Sequence, residues 1–283
     1  MSLTKNSEIL FLYDAKMTNP NGDMDNENKP RMDYDTDTNL VSDVRLKRYL
    51  RDYFEDALGK EIFVTEKAAK AEERGKQLEA ANLKYTDLID VKLFGAVYAS
   101  AGANTHLTGP VQFNWGYSLN PVEINESSTI TSSFSSGEGV GKDFRVKYSL
   151  IAFSGGINAN VSVDTRLSEE DIKTFDKAMI MAIPFNRTRS KMGQFPRLYL
   201  RVEAQDNRTV LKDLREFLNL EYKTENKYLV RSVKDYAIDI SKLKEYLIKA
   251  KPIEKIWYWK DEELEVKDWD DFKSSFELVS IEL

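Results

Sequence analysis

Residues 8–16 read EILFLYDAK, a short apolar run that predicts the first β-strand of the fold. A polar loop follows at 17–39, rich in Asn, Asp, Pro and Gly, which disfavour regular structure and suit turns. Residues 41–58 then have the pattern of a helix, and Ser42 is placed to cap its N-terminus. The chain therefore opens with a strand, a long loop and a helix.

The middle of the chain repeats this alternation. β-Branched and aromatic residues at 111–119 and 145–153 predict two more strands. Ser168 begins another helix, since the three acidic residues after it suit the positive end of a helix dipole, and Pro184 ends it. Residues 197–204 predict a further strand. The order β-α-(insert)-β-(insert)-β-α-β predicts an α+β fold. It resembles a ferredoxin-like core with an antiparallel sheet, interrupted by two inserts.

Two inserts and a C-terminal segment surround this core. In the first insert, 60–82 is charged and Ala-rich, which predicts an exposed helix or hairpin, and 90–99 resumes an apolar pattern. In the second, eleven of the residues at 127–141 are Ser, Thr or Gly, which predicts an exposed hairpin. Residues 207–283 mix short helices with strand-like runs, and no flexible linker separates them from the core.

The composition excludes several classes of protein. The chain has 283 residues, 41% hydrophobic and 31% charged, which suits one large or two smaller soluble domains. No apolar stretch approaches the roughly 20 residues that cross a bilayer, so we expect no contact with a membrane. Cysteine is absent and histidine occurs once, as His106, so disulfides, thiolate zinc sites and histidine metal clusters are excluded. We expect a cytoplasmic protein without a cofactor.

The net charge of −6 argues at first against binding to nucleic acid. Residues 261–283 alone sum to −7, however, so the rest of the chain sums to +1. Net charge affects the solubility of a protein and the steering of its partners, but it does not determine the charge of a local surface. A basic surface can therefore exist in this chain, and the acidic tail could meet a basic face on another copy.

Two basic runs contain no acidic residue. On the helix at 41–58, four cations fall in one arc about 160° wide, opposite an apolar arc. A second run, at 185–201, includes RTRSKMG, a predicted loop between a helix and a strand, where binding residues concentrate. The cations are Arg45, Lys47, Arg48 and Arg51 in the first run, and Arg187, Arg189, Lys191, Arg197 and Arg201 in the second.

Each run alone could be an ordinary solvated face, and Asp52 could partly neutralise the first. The presence of two such basic runs in an acidic chain favours a surface that binds the backbone of a nucleic acid with little base specificity. The carboxylate-rich loop at 17–39 is a weaker candidate. An EF-hand loop from Asp23 would need Gly at Asn28 and Glu at Tyr34, so we predict a series of Asx turns there.

Five blocks of sequence, in this order, resemble the repeated backbone subunit of type I CRISPR effector complexes (Cascade), a crRNA-binding member of the RAMP superfamily. The match is closest to type I-B, with type I-C next. The blocks are NPNGDMDNENKPRMD, LVSDVRLKRYLRDY, DVKLFGAVYA, GPVQFNWGYSLNPVE and RSKMGQFPRLYL, and the resemblance covers residues 8–205. The tail after about residue 207 matches no motif of the family.

The resemblance implies an RRM-like palm with inserted fingers and a thumb hairpin. The palm would comprise residues 1–58 and 106–206, the fingers 59–105 and the thumb 120–144, with 207–283 as an extension packed on the core. Several copies would polymerise along one crRNA as a helical filament, hold its backbone and present it for pairing with target DNA in antiviral defence. Other Cascade subunits would join them: the guide 5′-handle subunit, the large and small subunits, and the crRNA-processing endonuclease.

The resemblance also assigns residues. The RNA contacts would be Asn21, Arg31, Ser42, Arg45, Lys47, Arg48, Arg51, Gln112, Arg187, Arg189, Ser190 and Lys191. Ile130 or Phe134 would be the thumb wedge that divides the paired guide into short segments. The resemblance implies no catalytic residue and no metal ligand.

Two other functions stay open from the sequence. Type III relatives of the superfamily are sequence-independent endoribonucleases with an Asp in the loop after the first strand, where Asp23, Asp25 and Asp33 lie here. The NPNGD form of this loop resembles type I subunits, which do not cut. A protein-only scaffold that binds no RNA is the third alternative.

Overall fold

A computed structural model describes residues 2–100, 103–125, 129–131, 140–250 and 252–283. The helices are α1 (Asp43–Asp52), α2 (Ala71–Ala80), α3 (Ile89–Phe94), α4 (Ala159–Thr165), α5 (Glu169–Phe185), α6 (Ser241–Lys249) and α7 (Trp269–Ser275). The strands of the N-terminal half are β1 (Ser7–Thr18), β2 (Gly22–Asp23), β3 (Lys29–Pro30), β4 (Met32–Asp33), β5 (Thr38–Val41), β6 (Gly95–Ser100), β7 (Ala103–Thr108), β8 (Val111–Phe113) and β9 (Gly116–Ser118). Those that follow are β10 (Thr129–Thr131), β11 (Val140–Lys142), β12 (Val146–Ile157), β13 (Gln194–Ala204), β14 (Asn219–Tyr222), β15 (Tyr236–Asp239), β16 (Ile253–Lys260), β17 (Val266–Lys267) and β18 (Leu278–Ser280).

One large sheet organises the chain. Its strand order is β18-β16-β13-β1-β12-β9-β5-β4, with β8 also beside β12. Every pairing in it is antiparallel except β16 with β18. At its centre Phe11 of β1 lies opposite Phe153 of β12 and Tyr199 of β13. The strands predicted at 8–16, 145–153 and 197–204 are therefore confirmed, and the fold is a mixed α/β architecture with a predominantly antiparallel sheet.

Both faces of this sheet are covered. Ile9 and Phe11 of β1 belong to a core that includes side chains of α1 and α5. Leu10 and Leu12, which point to the opposite face, belong to a second core with Leu243 of α6 and other residues from 211 onwards. A strand that is buried on both sides is apolar throughout, which explains the EILFLYDAK run.

The predicted helix at 41–58 begins two residues late and changes form at its end. Val41 belongs to β5, and α1 starts at Asp43. Ser42 is its N-cap, as predicted, because its Oγ accepts a hydrogen bond from the Arg45 amide at 3.3 Å. A π-helical turn, Tyr53–Ala57, continues the helix. The loop predicted at 17–39 is less irregular than expected, since it contains the short strands β2 to β5.

The second long helix also agrees with its sequence signals. Ser168 forms a capping box with Asp171, in which each side chain accepts a hydrogen bond from the backbone of the other. The helix ends at Phe185, one residue beyond Pro184. The strand predicted at 111–119 is interrupted, however, and forms β8 and β9.

The inserts form small units at the edge of the sheet. In the first, α2, α3 and the hairpin β6–β7 surround a minor core of Phe63, Leu78, Leu88 and Val91. In the second, β10 and β11 pair so that Thr129 lies opposite Lys142. The predicted wedge residue Phe134 lies outside the described residues, as does the side chain of Ile130.

The acidic tail is largely neutralised within its own chain. Five of its carboxylates form ion pairs: Asp261 with Arg197, Glu263 with Lys234, Glu265 with Lys223, Asp270 with Lys273 and Asp271 with Lys244. This pairing leaves less free charge for another copy than the sequence suggested. No helix in the described part of the chain is both long and apolar enough to span a membrane.

Candidate nucleic-acid interface

Three segments that are distant in sequence meet beside the C-terminal end of β1: residues 19–21, 42–52 and 186–193. We call this surface the junction. The Asn19 amide donates to the Ser190 carbonyl at 2.9 Å. The Asn186 side chain donates to Asp52 Oδ2 at 3.2 Å, which joins the third segment to α1. The structure therefore brings both acid-free basic runs and the polar loop together.

Asn21 and Ser42 join the polar loop to the start of α1. Asn21 Oδ1 accepts hydrogen bonds from the Ser42 amide at 2.8 Å and from Ser42 Oγ at 2.9 Å. The Asn21 carbonyl accepts the Arg31 amide at 3.0 Å. These bonds hold the loop against the helix N-terminus, where the helix dipole favours an anion.

Most cations of the junction have carboxylate partners, which corrects the expectation of an uninterrupted basic ridge. The ion pairs are Arg31–Asp23 (3.2 Å), Lys47–Asp43 (3.1 Å), Arg48–Asp52, Arg51–Asp90 (3.1 Å) and Arg189–Asp143 (3.4 Å). Lys47 is also buried and donates to Gln112 Oε1 at 3.2 Å. Burial lowers the pKa of Arg51, although the charge of Asp90 opposes that shift.

Arg45, Arg187 and Lys191 are the exceptions, since none of them forms an ion pair among the described residues. Arg187 is exposed, whereas Arg45 and Lys191 lie close enough for their charges to interact. The Arg45 guanidinium lies 4.0 Å from the centre of the Tyr49 ring, and its buried Nε has no hydrogen-bond partner. Lys191 Nζ donates to the carbonyls of Asn19 and Pro20. Burial, and then the positive charge of Arg45, lower the pKa of Lys191 to about 7.

The polar groups around these cations have spare hydrogen-bonding capacity. Thr18 Oγ1, Asn19 Oδ1 and Asn186 Oδ1 are buried without partners among the described residues. Of these three, only the Thr18 hydroxyl can donate a hydrogen bond to an anion, because the two amide oxygens are acceptors. The main attraction for an anion is therefore the repulsion between the two nearby cations, which an anion would relieve. A phosphate is such an anion, and it accepts several hydrogen bonds at once.

The remaining predicted residues lie around this centre. Arg187 is exposed and has no ion pair in the part of the chain that the structure describes. Ser190 contributes its backbone carbonyl to the junction, since it accepts the Asn19 amide. Gln112 is exposed on β8 and contacts α1 through Lys47, while its Nε2 donates to the Gly109 carbonyl at 2.9 Å.

Arg145 was missed by sequence reasoning. It lies between β11 and β12 and is ion-paired with Asp143 at 2.8 Å. Its guanidinium also donates to the carbonyls of Met17 at 2.9 Å and Arg189 at 3.4 Å. It therefore ties the base of the second insert to the junction. A single cation before a strand carries no sequence signal for that role.

Two carboxylates of the polar loop have partners outside it, since Glu27 pairs with Lys142 and Asp37 accepts the Tyr228 hydroxyl, whereas Asp23 and Asp33 are engaged within the loop. Asp23 pairs with Arg31. Asp33 Oδ1 accepts the Asp35 amide at 3.1 Å, and its Oδ2 accepts the Thr36 hydroxyl at 2.9 Å, which confirms the predicted Asx turn. Among the described residues, no three side chains of metal-binding type come together.

Comparisons with family models, curated proteins and solved structures each find relatives of this chain. A family model described as "CRISPR-associated protein Cas7" matches residues 5–241. A protein of Haloferax volcanii with the same description is 33% identical over 288 residues, which cover 87% of this chain and 84% of that protein.

The third comparison is with the fold of solved structures. Two chains have a TM-score of 0.58 to this chain. One, from a "CRISPR RNA-guided surveillance complex", is 16% identical, and the alignment covers 97% of this chain and 94% of that one. The other, described as the same kind of complex "pre-nicking", is 14% identical, with 97% and 96% covered. At these identities the likeness concerns the fold.

Proposed function

Because the chain belongs to the family of CRISPR-associated protein Cas7, we propose that it is the crRNA-binding backbone subunit of a type I surveillance complex, of the I-B kind. Copies of it assemble head to tail along one guide RNA in the cytoplasm, hold the RNA backbone and present the bases to target DNA. The other Cascade subunits complete the assembly.

The observation that carries this proposal is the meeting of Arg45 and Lys191. The two residues come from separate basic runs and form no ion pair among the described residues. They lie close enough for the charge of Arg45 to act on Lys191, although the charge of Asp52 also acts on Arg45. A backbone phosphate that binds between them removes their repulsion and satisfies the orphaned Nε of Arg45. Contacts of this kind fix the backbone and are blind to base sequence.

The cations that have carboxylate partners can form additional contacts with the RNA backbone. Exposed ion pairs contribute little to stability, so a phosphate can replace a carboxylate partner. Arg189 is suited to this exchange, because its side chain is 68% exposed and its contact with Asp143 is long. Arg51 is not, because its partner Asp90 is fully buried. We therefore rank Arg187 and Arg189 above Arg51 as RNA contacts.

We propose that the centre of the sheet is the palm. The order β13-β1-β12-β9 is that of the four strands of a β-α-β-β-α-β unit with α1 and α5 as its helices. The fingers, predicted at 59–105, would include the whole β6–β7 hairpin, whose pairing runs through Thr108. The β10–β11 hairpin supports a thumb at 120–144.

We propose that the subunit does not cut RNA. Asp23 is engaged by Arg31, Asp33 by an Asx turn, and neither belongs to a cluster of carboxylates in the described residues. Incubation of the protein with single-stranded RNA and Mg²⁺ tests this statement. We expect intact RNA; cleavage that Asp23→Ala or Asp33→Ala abolishes would establish the endoribonuclease instead.

The binding site itself is tested by fluorescence anisotropy with labelled single-stranded RNA. Arg45→Ala and Lys191→Ala should each weaken binding about tenfold, the value of one charge-assisted contact. Arg166→Ala and Lys173→Ala are matched controls, since both cations are exposed and remote from the junction. Equal affinity of all four variants would exclude the junction as the RNA site, and no binding by the wild type would support the scaffold alternative.

A further inference from the structure

Trp115 is an exposed aromatic residue in the connection between two strands that both pair with β12. It lies between β8 and β9, and 47% of its surface is accessible. A single exposed apolar residue is ordinary on a soluble protein, so a binding role for Trp115 depends on the groups around its ring. The interruption between β8 and β9, which the sequence did not predict, is what places it there.

The backbone around Trp115 is held rigidly. The Asn114 amide donates to the Ser154 carbonyl at 2.9 Å, and Arg215 donates to the Trp115 carbonyl at 2.8 Å. Gly116 packs so closely on Phe153 that a β-carbon would lie 2.5 Å from the ring. These contacts therefore hold the backbone that carries the indole in one position.

Trp115 is linked to the junction through Arg31. The Arg31 guanidinium carbon lies 6.0 Å from the centre of the Trp115 ring, and the Arg31 amide donates to the Asn21 carbonyl. Asn21 Oδ1 in turn accepts a hydrogen bond from the amide of Ser42, which is the N-cap of α1. A continuous set of contacts thus connects the exposed ring to the phosphate-binding cations.

We propose that Trp115, flanked by Arg31, is a stacking site for one unpaired nucleobase of the RNA whose backbone the junction holds. The proposal rests on the proposed function and adds a base contact to it. Both faces of the sheet are covered, so a base can stack here only on an aromatic side chain that is exposed in a connection between strands, as Trp115 is. Stacking on an indole tolerates every base, and a guanidinium beside the ring strengthens it. The site therefore grips a base without selecting sequence.

The test compares short single-stranded RNA with an abasic RNA of the same length, by anisotropy. The wild type should bind the abasic strand about tenfold more weakly, the value of one stacked base. Trp115→Ala should lose most of that difference, and Trp115→Phe should keep part of it. Trp257→Phe is the control. Trp257 lies in β16, away from the junction, and its ring packs on Arg201 of β13.

Tryptophan fluorescence gives a second measurement on the same samples. Intact RNA should quench the wild type and the Trp257→Phe variant, and the quenching should disappear in Trp115→Phe. An unchanged preference for intact RNA in Trp115→Ala, or unchanged quenching in Trp115→Phe, overturns the stacking site while the backbone function stands. A Trp115→Ala variant that only stops self-association on RNA shows a protein contact and overturns it too. If neither strand binds the wild type, the proposed function itself has failed.

Discussion

Arg45 and Lys191 differ from the neighbouring cations in what neutralises them. Lys47, Arg51 and Arg189 each have a carboxylate within 4.0 Å, supplied by Asp43, Asp90 and Asp143. Arg45 has an aromatic face and Lys191 has carbonyl oxygens. Arg45 therefore keeps its charge without an ion pair. Lys191 has a pKa that burial and then the charge of Arg45 lower to about 7, so a bound phosphate would favour its protonated form.

Lys191 should make RNA binding depend on pH. Its pKa of about 7 in the free protein lies below the ordinary lysine value, and a bound phosphate favours the charged form. Below about pH 7 the amine is already protonated; above that pH, binding must take up a proton. Affinity should therefore fall as pH rises from about 7 towards 9, by up to about tenfold per pH unit.

The matched variant is Lys191→Arg, since arginine stays charged throughout this range. Its affinity for RNA should be nearly independent of pH, whereas the control Lys173→Arg should keep the wild-type profile. Anisotropy titrations at several pH values and constant salt measure both. A flat wild-type profile would contradict a phosphate contact at Lys191.

Ser42 should matter for stability as well as position. Its hydroxyl accepts the Arg45 amide, and both its amide and its hydroxyl donate to Asn21. Removal of an N-cap costs about 1 kcal/mol of the free energy of unfolding. Ser42→Ala should show that loss in urea denaturation, whereas Ser274→Ala, on the exposed side of α7, should change little. Equal stability of the two variants would show that the cap is dispensable.

The positions of the cations could be predicted from sequence, but their partners could not. The pattern within α1 correctly separates Arg45 and Arg51 from the apolar arc, but Lys47, predicted in the same arc, is buried. Asp90, which neutralises Arg51, is 39 residues further along and contacts it only because the first insert folds back. Local sequence contains no information on such a contact. The two acid-free runs therefore predicted more cations without an acidic partner than the structure has.

At the scale of elements, Asp90 attaches the first insert to α1. It is fully buried and accepts hydrogen bonds from Arg51 at 3.1 Å and from the amides of Phe63 at 2.8 Å and Val64 at 3.1 Å. One carboxylate thus satisfies a cation and two amides from different segments. Burial of Arg51 is tolerable only while this acceptor is present.

Asp90→Ala should therefore destabilise the protein by about 3 kcal/mol, the usual cost of a buried charge that loses its partner. Urea denaturation followed by circular dichroism measures the loss. Asp87→Ala is the control, since Asp87 is exposed and its pair with Arg166 is a surface contact. A similar effect of both substitutions would mean that Asp90 does not hold the insert in place.

Elements with strong local signals were predictable, and those made by tertiary contacts were not. β1, β12, β13 and α5 have apolar runs or capping residues, and the structure confirms them. The two-residue strands within 17–39 have no periodicity to detect. They form because backbone groups of the loop pair with each other and, through β5, with β9.

At the scale of the whole molecule, the C-terminal segment completes the sheet. Leu10, Leu12 and Leu200 pack against residues from 211 onwards, so this segment buries an apolar face. Tyr148 also donates to Asp14 at 2.8 Å and contacts the Tyr236 hydroxyl at 3.0 Å across the same boundary. The sequence suggested attachment only by the lack of a linker.

A chain truncated after residue 206 should consequently expose that face and aggregate. Expression followed by size-exclusion chromatography should show it in the insoluble or void fraction, because a large apolar patch favours self-association. The full chain with Asp268→Lys is the control and should stay soluble, since it alters the charge of the tail without exposing the sheet. A soluble, folded truncated chain would contradict the two-sided core.

The central claim is that this chain polymerises along RNA and holds its backbone. Mass photometry of the protein with unrelated single-stranded RNAs of stepwise increasing length tests it most directly. We expect the number of bound copies to increase in steps with RNA length, regardless of sequence, and binding to weaken steadily with salt. The double variant Arg45→Ala with Lys191→Ala should abolish the steps. A fixed number of copies at every length, or assembly that the double variant leaves unchanged, would contradict it.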